Sequence, residues 1–144
     1  MHVRGLRLSD VEVASELLHQ LGYHVSANEL SGRIARVSTA EGHYAAAVDD
    51  GQKICGFMHV YERSALETPR AAVVQSLVVE ERARKMGAGR LLMDAAEGWA
   101  KVRGLDRVVL HTRIDRGDAR AFYERIGYSK AATAHLMCKQ LPAA

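Results

Sequence analysis

The sequence lacks the features that mark several large classes of protein. Its 144 residues contain 2 cysteines, Cys55 and Cys138, which lie far apart and without metal-ligand spacing. This argues against a disulfide framework or a metal site, and we expect both to be small buried hydrophobes in a reducing compartment. No apolar run approaches membrane-spanning length, and the N-terminus lacks a secretory apolar region. These absences predict a cytoplasmic protein with no membrane partner.

Neither sign of charge dominates the chain. It has 20 lysines and arginines against 17 aspartates and glutamates, a net charge of +3 with acids and bases interleaved. There is no basic strand interleaved with aromatic residues and no helix-turn-helix signature, so no nucleic-acid partner is expected. Repeats, low-complexity segments and linkers are also missing. Length and composition therefore predict a single globular domain over residues 1–144.

A strand, a glycine turn and a helix follow one another in the middle of the chain. The segment Ala71–Val79, which is apolar and β-branched from Val73 onward, predicts a buried strand, and apolar residues recur at helical spacing over Leu91–Ala100. The turn between them contains Gly87 and Gly89. Glycines let backbone N–H groups approach a ligand, and a helix N-terminus leaves unpaired donors and partial positive charge. The turn is surrounded by Arg82, Arg84, Lys85 and Arg90. We therefore predict a site for a phosphate-bearing ligand.

The residues before this stretch predict two helices between short strands. His2–Leu8 is expected to form the first strand. Two sequences of capping-box form, Ser9–Glu12 and Ser26–Glu29, predict the starts of two helices, and Gly22 is expected to end the first in a left-handed conformation. Nothing catalytic is visible in this part of the chain.

A hairpin is predicted next. Strands over Tyr44–Val48 and Ile54–Tyr61 flank a turn in which Gly51 supplies positive φ, and Gly56 indicates a bulge in the second strand. The polar loop Glu62–Arg70 then leads to the central strand.

After the central helix the pattern predicts three further elements. These are a strand over Arg107–Thr112, a helix over Asp118–Ile126 closed by Gly127, and a final strand over His135–Leu141. Hairpins early in the chain and a strand–helix–strand unit later predict an α/β or α+β fold with a mixed sheet.

Two motifs in this order resemble those of the GNAT family of N-acetyltransferases. The first is Arg84-Lys85-Met86-Gly87-Ala88-Gly89, similar to the family's Gln/Arg-x-x-Gly-x-Gly/Ala between a strand and the central helix. The second runs from Ala119 through Phe122-Tyr123 to Gly127-Tyr128, similar to A-x-x-F-Y-x-x-x-G-F/Y. The resemblance spans nearly the whole chain. It implies the acyl-CoA N-acyltransferase fold, in which helices flank a V-shaped, mostly antiparallel sheet and strands four and five splay apart.

The resemblance also implies acetyl-CoA as co-substrate and no metal. Acetyl-CoA would lie in the gap between the two strands, with its pantetheine arm along the fourth strand and its pyrophosphate on the turn. An amide of that strand, Val78 N–H, would polarise the thioester carbonyl. The residues expected to bind it are Leu77, Val78, Val79, Arg84, Lys85, Met86, Gly87, Ala88, Gly89, Arg90, Arg116, Ala119, Phe122 and Tyr123.

The resemblance assigns one catalytic role and leaves another open. Tyr123 matches the tyrosine that protonates the departing CoA thiolate, and a phenol with a pKa of about 10 is protonated at neutral pH. Many relatives carry Asn where this chain has Arg116, which could contact a CoA phosphate instead. Relatives often place a glutamate base where this chain has Gln75, which cannot accept a proton but could position a water. The candidates for the base are His43, His59, His111 and Glu41.

These observations favour an N-acetyltransferase that acts on a primary amine of a small molecule or a peptide, by direct attack in a ternary complex. The alternative is a non-catalytic acyl-CoA-binding module, which Gln75 and Arg116 would suit. The acceptor pocket would be built from the first two helices, the loop after the hairpin and the final strand. Carboxylates that could attract a cationic amine are Glu41, Glu62 and Glu67. The last strand could also pair two chains as a homodimer.

Overall fold

The computed structural model describes residues 1–143, and the chain divides into two compact units, Met1–His111 and Thr112–Ala144. The first unit contains five strands, His2–Gly5 (β1), His43–Asp49 (β2), Ile54–Arg63 (β3), Ala71–Val79 (β4) and Val108–Leu110 (β5). Its helices are Val11–Gln20 (α1), Ala27–Thr39 (α2), Glu81–Arg84 (α3) and Ala88–Val102 (α4). The second unit contains the helix Gly117–Arg125 (α5).

The strands form one sheet in the order β1-β2-β3-β4-β5. Each neighbouring pair is antiparallel except β4 and β5, which are parallel because the chain crosses over through α4 between them. The predicted mixed, mostly antiparallel sheet flanked by helices is confirmed.

Helices cover the two faces of this sheet. On one face a buried cluster joins Ala14 and Leu17 of α1 and Leu30 and Ile34 of α2 to side chains of the sheet, among them Ala47, Phe57 and Val78. On the other face α4 packs with its fully buried residues Leu92, Met93 and Ala96. The Tyr44 and Trp99 rings stack with their centroids 6.4 Å apart on that side. The helical spacing of apolar residues explains both contacts, since it gives each helix one apolar face.

Of the two predicted capping boxes, the one at α2 is confirmed and the one at α1 is wrong. At α2 the predicted capping box is confirmed, because the Ser26 hydroxyl accepts from Glu29 N–H at 3.1 Å and a Glu29 carboxylate oxygen accepts from Ser26 N–H at 3.3 Å. At α1 the predicted Ser9 box is wrong. The residues Leu8–Asp10 form a 3-10 turn instead, and the Asp10 carboxylate accepts from Arg7 N–H at 2.8 Å.

Asp10 is held by a second interaction that the sequence did not indicate. The Arg4 guanidinium on β1 donates to both Asp10 carboxylate oxygens, at 2.8 and 2.9 Å, and to Asp49 at 3.0 Å. Asp10 is buried, and the pKa of its carboxyl is lowered chiefly by the hydrogen bond from Arg4. This network joins the first strand, the 3-10 turn and the end of β2.

Glycine positions in the first unit agree with the predictions. Gly22 follows α1 with φ of 90°, and Gly51 in the hairpin turn has φ of 103°. The predicted bulge at Gly56 lies one residue earlier, because the β2–β3 register shifts between Val48 and Asp49 and leaves Cys55 as the extra residue. Cys55 is buried, as predicted, whereas Cys138 is exposed.

In the second unit the predicted helix is confirmed and the predicted final strand is wrong. α5 ends at Arg125, and Gly127 follows with φ of 104°. The segment 129–143 has no strand pairing, and Leu136, Met137 and Leu141 are exposed. Apolar residues alone do not make a strand, because a strand needs a neighbour with free backbone groups.

Within the described residues, every helix is too short or too polar to traverse a lipid bilayer.

Candidate functional site

The strands β4 and β5 separate part-way along the sheet. Their parallel pairing joins Ala72 to Val108, Val73 to Val109 and Val74 to Leu110, whereas β4 continues to Val79. The β3–β4 register shifts at the same level, since His59 pairs with Ser76 and Val60 pairs with Val74. Gln75 is therefore the extra residue of a bulge, and its side chain is exposed. Beyond the bulge, the edge of β4 is free of β5.

The register decides which backbone groups of β4 face that edge. Glu80 N–H donates to the Cys55 carbonyl on β3 at 2.8 Å. The backbone groups of successive residues alternate sides along a strand. The N–H and C=O groups of Val78 therefore also point towards β3, and those of Leu77 and Val79 point towards the free edge. The expectation that Val78 N–H polarises a ligand carbonyl is therefore wrong. The amides with the required direction are those of Leu77 and Val79.

The turn after β4 ends in a helix start with free amides. Gly87 is the N-cap of α4 and adopts the left-handed conformation, with φ of 86° and ψ of 13°. The first helical hydrogen bond runs from Leu91 N–H to the Gly87 carbonyl at 3.0 Å. The N–H groups of Ala88, Gly89 and Arg90 precede it and have no partner within the helix. The short helix α3, which the sequence analysis missed, lies between the strand and this turn.

Basic side chains lie around the turn in solvent-exposed positions. Arg84 Nε donates to the Val79 carbonyl at 3.1 Å, so this guanidinium lies against the free edge of β4. Arg82 pairs with Glu80 at 3.1 Å, and Arg90 pairs with Asp94 at 3.5 Å. Exposed ion pairs of this kind are weak, so the two arginines can turn to an anionic ligand at little cost. Lys85 and Met86 are also exposed. A free strand edge leading to free helix amides fits an extended ligand with phosphate at one end.

The histidines proposed as bases have different surroundings. His43 on β2 and His59 on β3 are half-buried, and His43 Nδ1 lies 2.9 Å from His59 Nε2. His111 and Glu41 are exposed. Glu62, which was predicted to attract a cationic amine, accepts from Arg70 at 2.9 Å and from Arg103 at 3.1 Å. Its charge is therefore already neutralised.

Tyr123 lies in the second unit, on helix α5. The ring is half-buried in an aromatic cluster with Phe122, 5.2 Å away, and Tyr128, 6.1 Å away. Burial raises the pKa of the Tyr123 phenol. The hydroxyl therefore keeps its proton at neutral pH, as a general acid must. Ala119 is half-buried on the same helix, and Arg116 is its exposed N-cap residue.

The fold occurs in acetyltransferases of known structure. An aminoglycoside N-acetyltransferase in complex with CoA matches with a TM-score of 0.85 and 13% identity, over 96% of this chain and 94% of that chain. Glucosamine-6-phosphate N-acetyltransferase from Arabidopsis thaliana matches with a TM-score of 0.74 and 22% identity, over 97% of both chains. The fold of this chain is therefore one that acetyltransferases of known structure share.

Sequence comparison gives the particular family. The family model described as "Acetyltransferase (GNAT) family" matches residues 12–128. The N-acetyltransferase YhfO of Bacillus subtilis (strain 168), itself uncharacterised, is 29% identical over 149 residues, covering 99% of each chain. The chain belongs to the GNAT acetyltransferase family, and it is an N-acetyltransferase that depends on acetyl-CoA.

Proposed function

We propose that this protein transfers the acetyl group of acetyl-CoA to a primary amine of a small molecule or a peptide, by direct attack in a ternary complex. The observation that carries the proposal is the free edge of β4, where Leu77 and Val79 present backbone groups beside the open N-terminus of α4. The catalytic domain would span residues 1–144 in the cytoplasm.

In this proposal the pantetheine arm lies along β4 as an added strand. The backbone groups of Leu77 and Val79 bond to it, and Leu77 N–H polarises the thioester carbonyl. The pyrophosphate accepts from the free amides of α4, since helix N-termini favour anions. The full set assigned to acetyl-CoA is Leu77, Val78, Val79, Arg84, Lys85, Met86, Gly87, Ala88, Gly89, Arg90, Arg116, Ala119, Phe122 and Tyr123.

The chemistry requires one proton to leave the amine and another to reach the sulfur. The neutral amine attacks the thioester carbon, the C–S bond breaks, and Tyr123 donates its proton to the departing thiolate. The phenolate then recovers a proton from the new amide nitrogen, directly or through water. Gln75, exposed at the bulge, positions a water for this exchange.

The acceptor is proposed only by class. Two structural neighbours are named for aminoglycosides and for glucosamine 6-phosphate, both of which carry primary amines, and this supports an amine acceptor. Of the three carboxylates expected to attract a cation, Glu41 and Glu67 are exposed, and Glu62 is paired with two arginines. A homodimer through the last segment stays a prediction, which light scattering of the purified protein would test.

Release of CoA thiol from acetyl-CoA, measured against a broad panel of primary amines, tests the proposal. We expect amine-dependent release with at least one acceptor, and mass spectrometry should find the acetylated amine. Calorimetry with acetyl-CoA runs in parallel. Binding without thiol release for any amine would favour the alternative, a non-catalytic acyl-CoA-binding module.

A further inference from the structure

Two histidines from neighbouring strands form a contact that the sequence did not indicate. His43 Nδ1 lies 2.9 Å from His59 Nε2, and the two rings are stacked with centroids 5.2 Å apart. Tyr61 stacks on His43 at 5.3 Å, with the ring planes 13° apart. At that separation one of the two ring nitrogens carries a hydrogen and the other accepts it, because two lone pairs would repel. The pair is therefore a hydrogen-bonded couple along which a proton can move.

The couple lies beside the place where β4 leaves β5. His59 is directly opposite Ser76, the residue after the bulged Gln75. Residues directly opposite each other in a sheet share a face, so His59 lies on the same face as Ser76 and next to Phe57. Phe57 belongs to the cluster beneath α1 and α2, and His59 therefore lies at the margin of that buried cluster. No other histidine of the described residues occupies a strand position next to the bulge.

The groups that face His59 keep its imidazole uncharged at neutral pH. On its own strand the same face carries Tyr61 and then Arg63, and across from it stand Ala45 on β2 and Ser76 on β4, which are uncharged. The α1 and α2 side chains in the adjoining cluster are apolar. Burial, and secondarily the charge of His43, lower the pKa of His59. His59 is therefore neutral at pH 7, in the form that a base requires.

We propose that His59 is the general base that removes the proton from the acceptor ammonium, and that His43 is a positioning residue that carries this proton onward. The inference rests on the proposed function. His59 holds its hydrogen on Nε2, donates it to His43 Nδ1, and keeps a lone pair on Nδ1. The ammonium gives one proton to His59 Nδ1, and the freed nitrogen lone pair attacks the thioester carbon. The proton on His59 Nε2 passes to His43 Nδ1, and His43 releases a proton to solvent from Nε2. Exchange of the ring protons with water then restores the starting tautomers of both histidines before the next turnover.

The test compares acceptors that need a base with one that does not. Kanamycin, spermidine and Nα-acetyl-lysine methyl ester carry ammonium groups at neutral pH, as does a lysine side chain with a pKa of about 10.4. Hydroxylamine is largely unprotonated at neutral pH. For His59→Ala at pH 7 we expect kcat with the best ammonium acceptor to fall by about 10²-fold or more, and the rate with hydroxylamine to stay within about threefold.

Controls separate loss of the base from loss of the fold. His59→Gln keeps the size and polarity of the side chain and should lose activity as His59→Ala does, with unchanged circular dichroism and acetyl-CoA affinity. His2→Ala, an exposed histidine of β1, should retain wild-type rates. Equal losses with both kinds of acceptor, or no loss with either, would overturn the assignment. A wild type that turned over no amine of the broad panel would overturn the proposed function together with this inference, a result distinct from an active His59→Ala enzyme.

The role of His43 has its own readout in the pH profile. His43→Phe keeps an aromatic ring and removes the imidazole, whose electrostatic effect lowers the pKa of His59 in the wild type. The pKa of His59 should then rise, and the ascending limb of kcat/KM should move to higher pH. A merely structural role would lower the rate without moving the limb. A limb that stays in place would remove His43 from the proton path.

Discussion

Gly56 lies where β3, β4 and α4 pack closely together. An ideal Cβ at this position would lie 2.9 Å from the Val78 carbonyl oxygen and 3.4 Å from a Leu92 methyl carbon. A backbone oxygen cannot swing away, so Gly56→Ala should force the strands apart. We expect the free energy of unfolding to fall by about 1–3 kcal/mol in urea titrations.

Gly98 offers the matched control for this prediction. It is exposed on α4, and an added Cβ there would meet nothing within 4 Å. Gly98→Ala should raise the free energy of unfolding by about 0.5–1 kcal/mol, because alanine is the better helix former. Equal stability of Gly56→Ala and the wild type would show that the β3–β4 contact can relax.

Tyr123 carries the second prediction at the scale of a residue. Tyr123→Phe keeps the ring in its aromatic cluster and removes the acidic hydroxyl. We expect kcat to fall by about 10²-fold with unchanged acetyl-CoA affinity by calorimetry, since only the leaving-group step is affected. Tyr44→Phe, which keeps the ring stacked on Trp99, should be fully active.

The pH dependence of the wild type follows from the same hydroxyl. Burial raises the pKa of Tyr123, so its acidic form persists above the ordinary phenol pKa of about 10. The rate should therefore show no loss from this group between pH 7 and about pH 10. Full activity of Tyr123→Phe at pH 7 would exclude the acid role.

At the scale of elements, glycine substitutions in two turns separate an effect on stability from an effect on acetyl-CoA binding. Gly87 and Gly51 both have positive φ, 86° and 103°, and a Cβ at either would meet nothing within 4 Å. Alanine at either position should therefore cost about 1–2 kcal/mol of backbone strain. Gly87→Ala should in addition weaken acetyl-CoA binding, because the free amides of α4 follow it directly. Isothermal calorimetry checks the affinities, and an unchanged affinity for Gly87→Ala would contradict the phosphate site.

At the scale of the whole molecule, a ligand that binds the folded chain must stabilise it. Acetyl-CoA at about 100 times its Kd should raise the free energy of unfolding by about 2.7 kcal/mol. S-acetyl-N-acetylcysteamine, which has the thioester but no pyrophosphate, should give a much smaller shift at the same concentration. Thermal unfolding followed by circular dichroism measures both, and equal shifts would mean that the α4 amides contribute little.

Local features of the fold were predictable from the sequence because they depend on neighbouring residues. The β4 strand was predicted with its observed ends, Ala71 and Val79, and the Ser26 cap of α2 was predicted from a four-residue pattern. The Ser9 cap was wrong because a residue outside its four-residue pattern takes part. Arg4 reaches Asp10 from the first strand and favours a 3-10 turn ahead of α1.

The sequence by itself determined the strand, the Gly87 turn and the α4 start, because apolar spacing and the conformational freedom of glycine act within a few residues. Only the tertiary structure decided the rest of the site within the first unit. The bulge at Gln75 turns Leu77 and Val79, not Val78, towards the free edge, and strand pairing brings His43 to His59 across 16 residues of sequence. Both depend on the register of strands distant in the chain, and register is set by packing of the whole sheet.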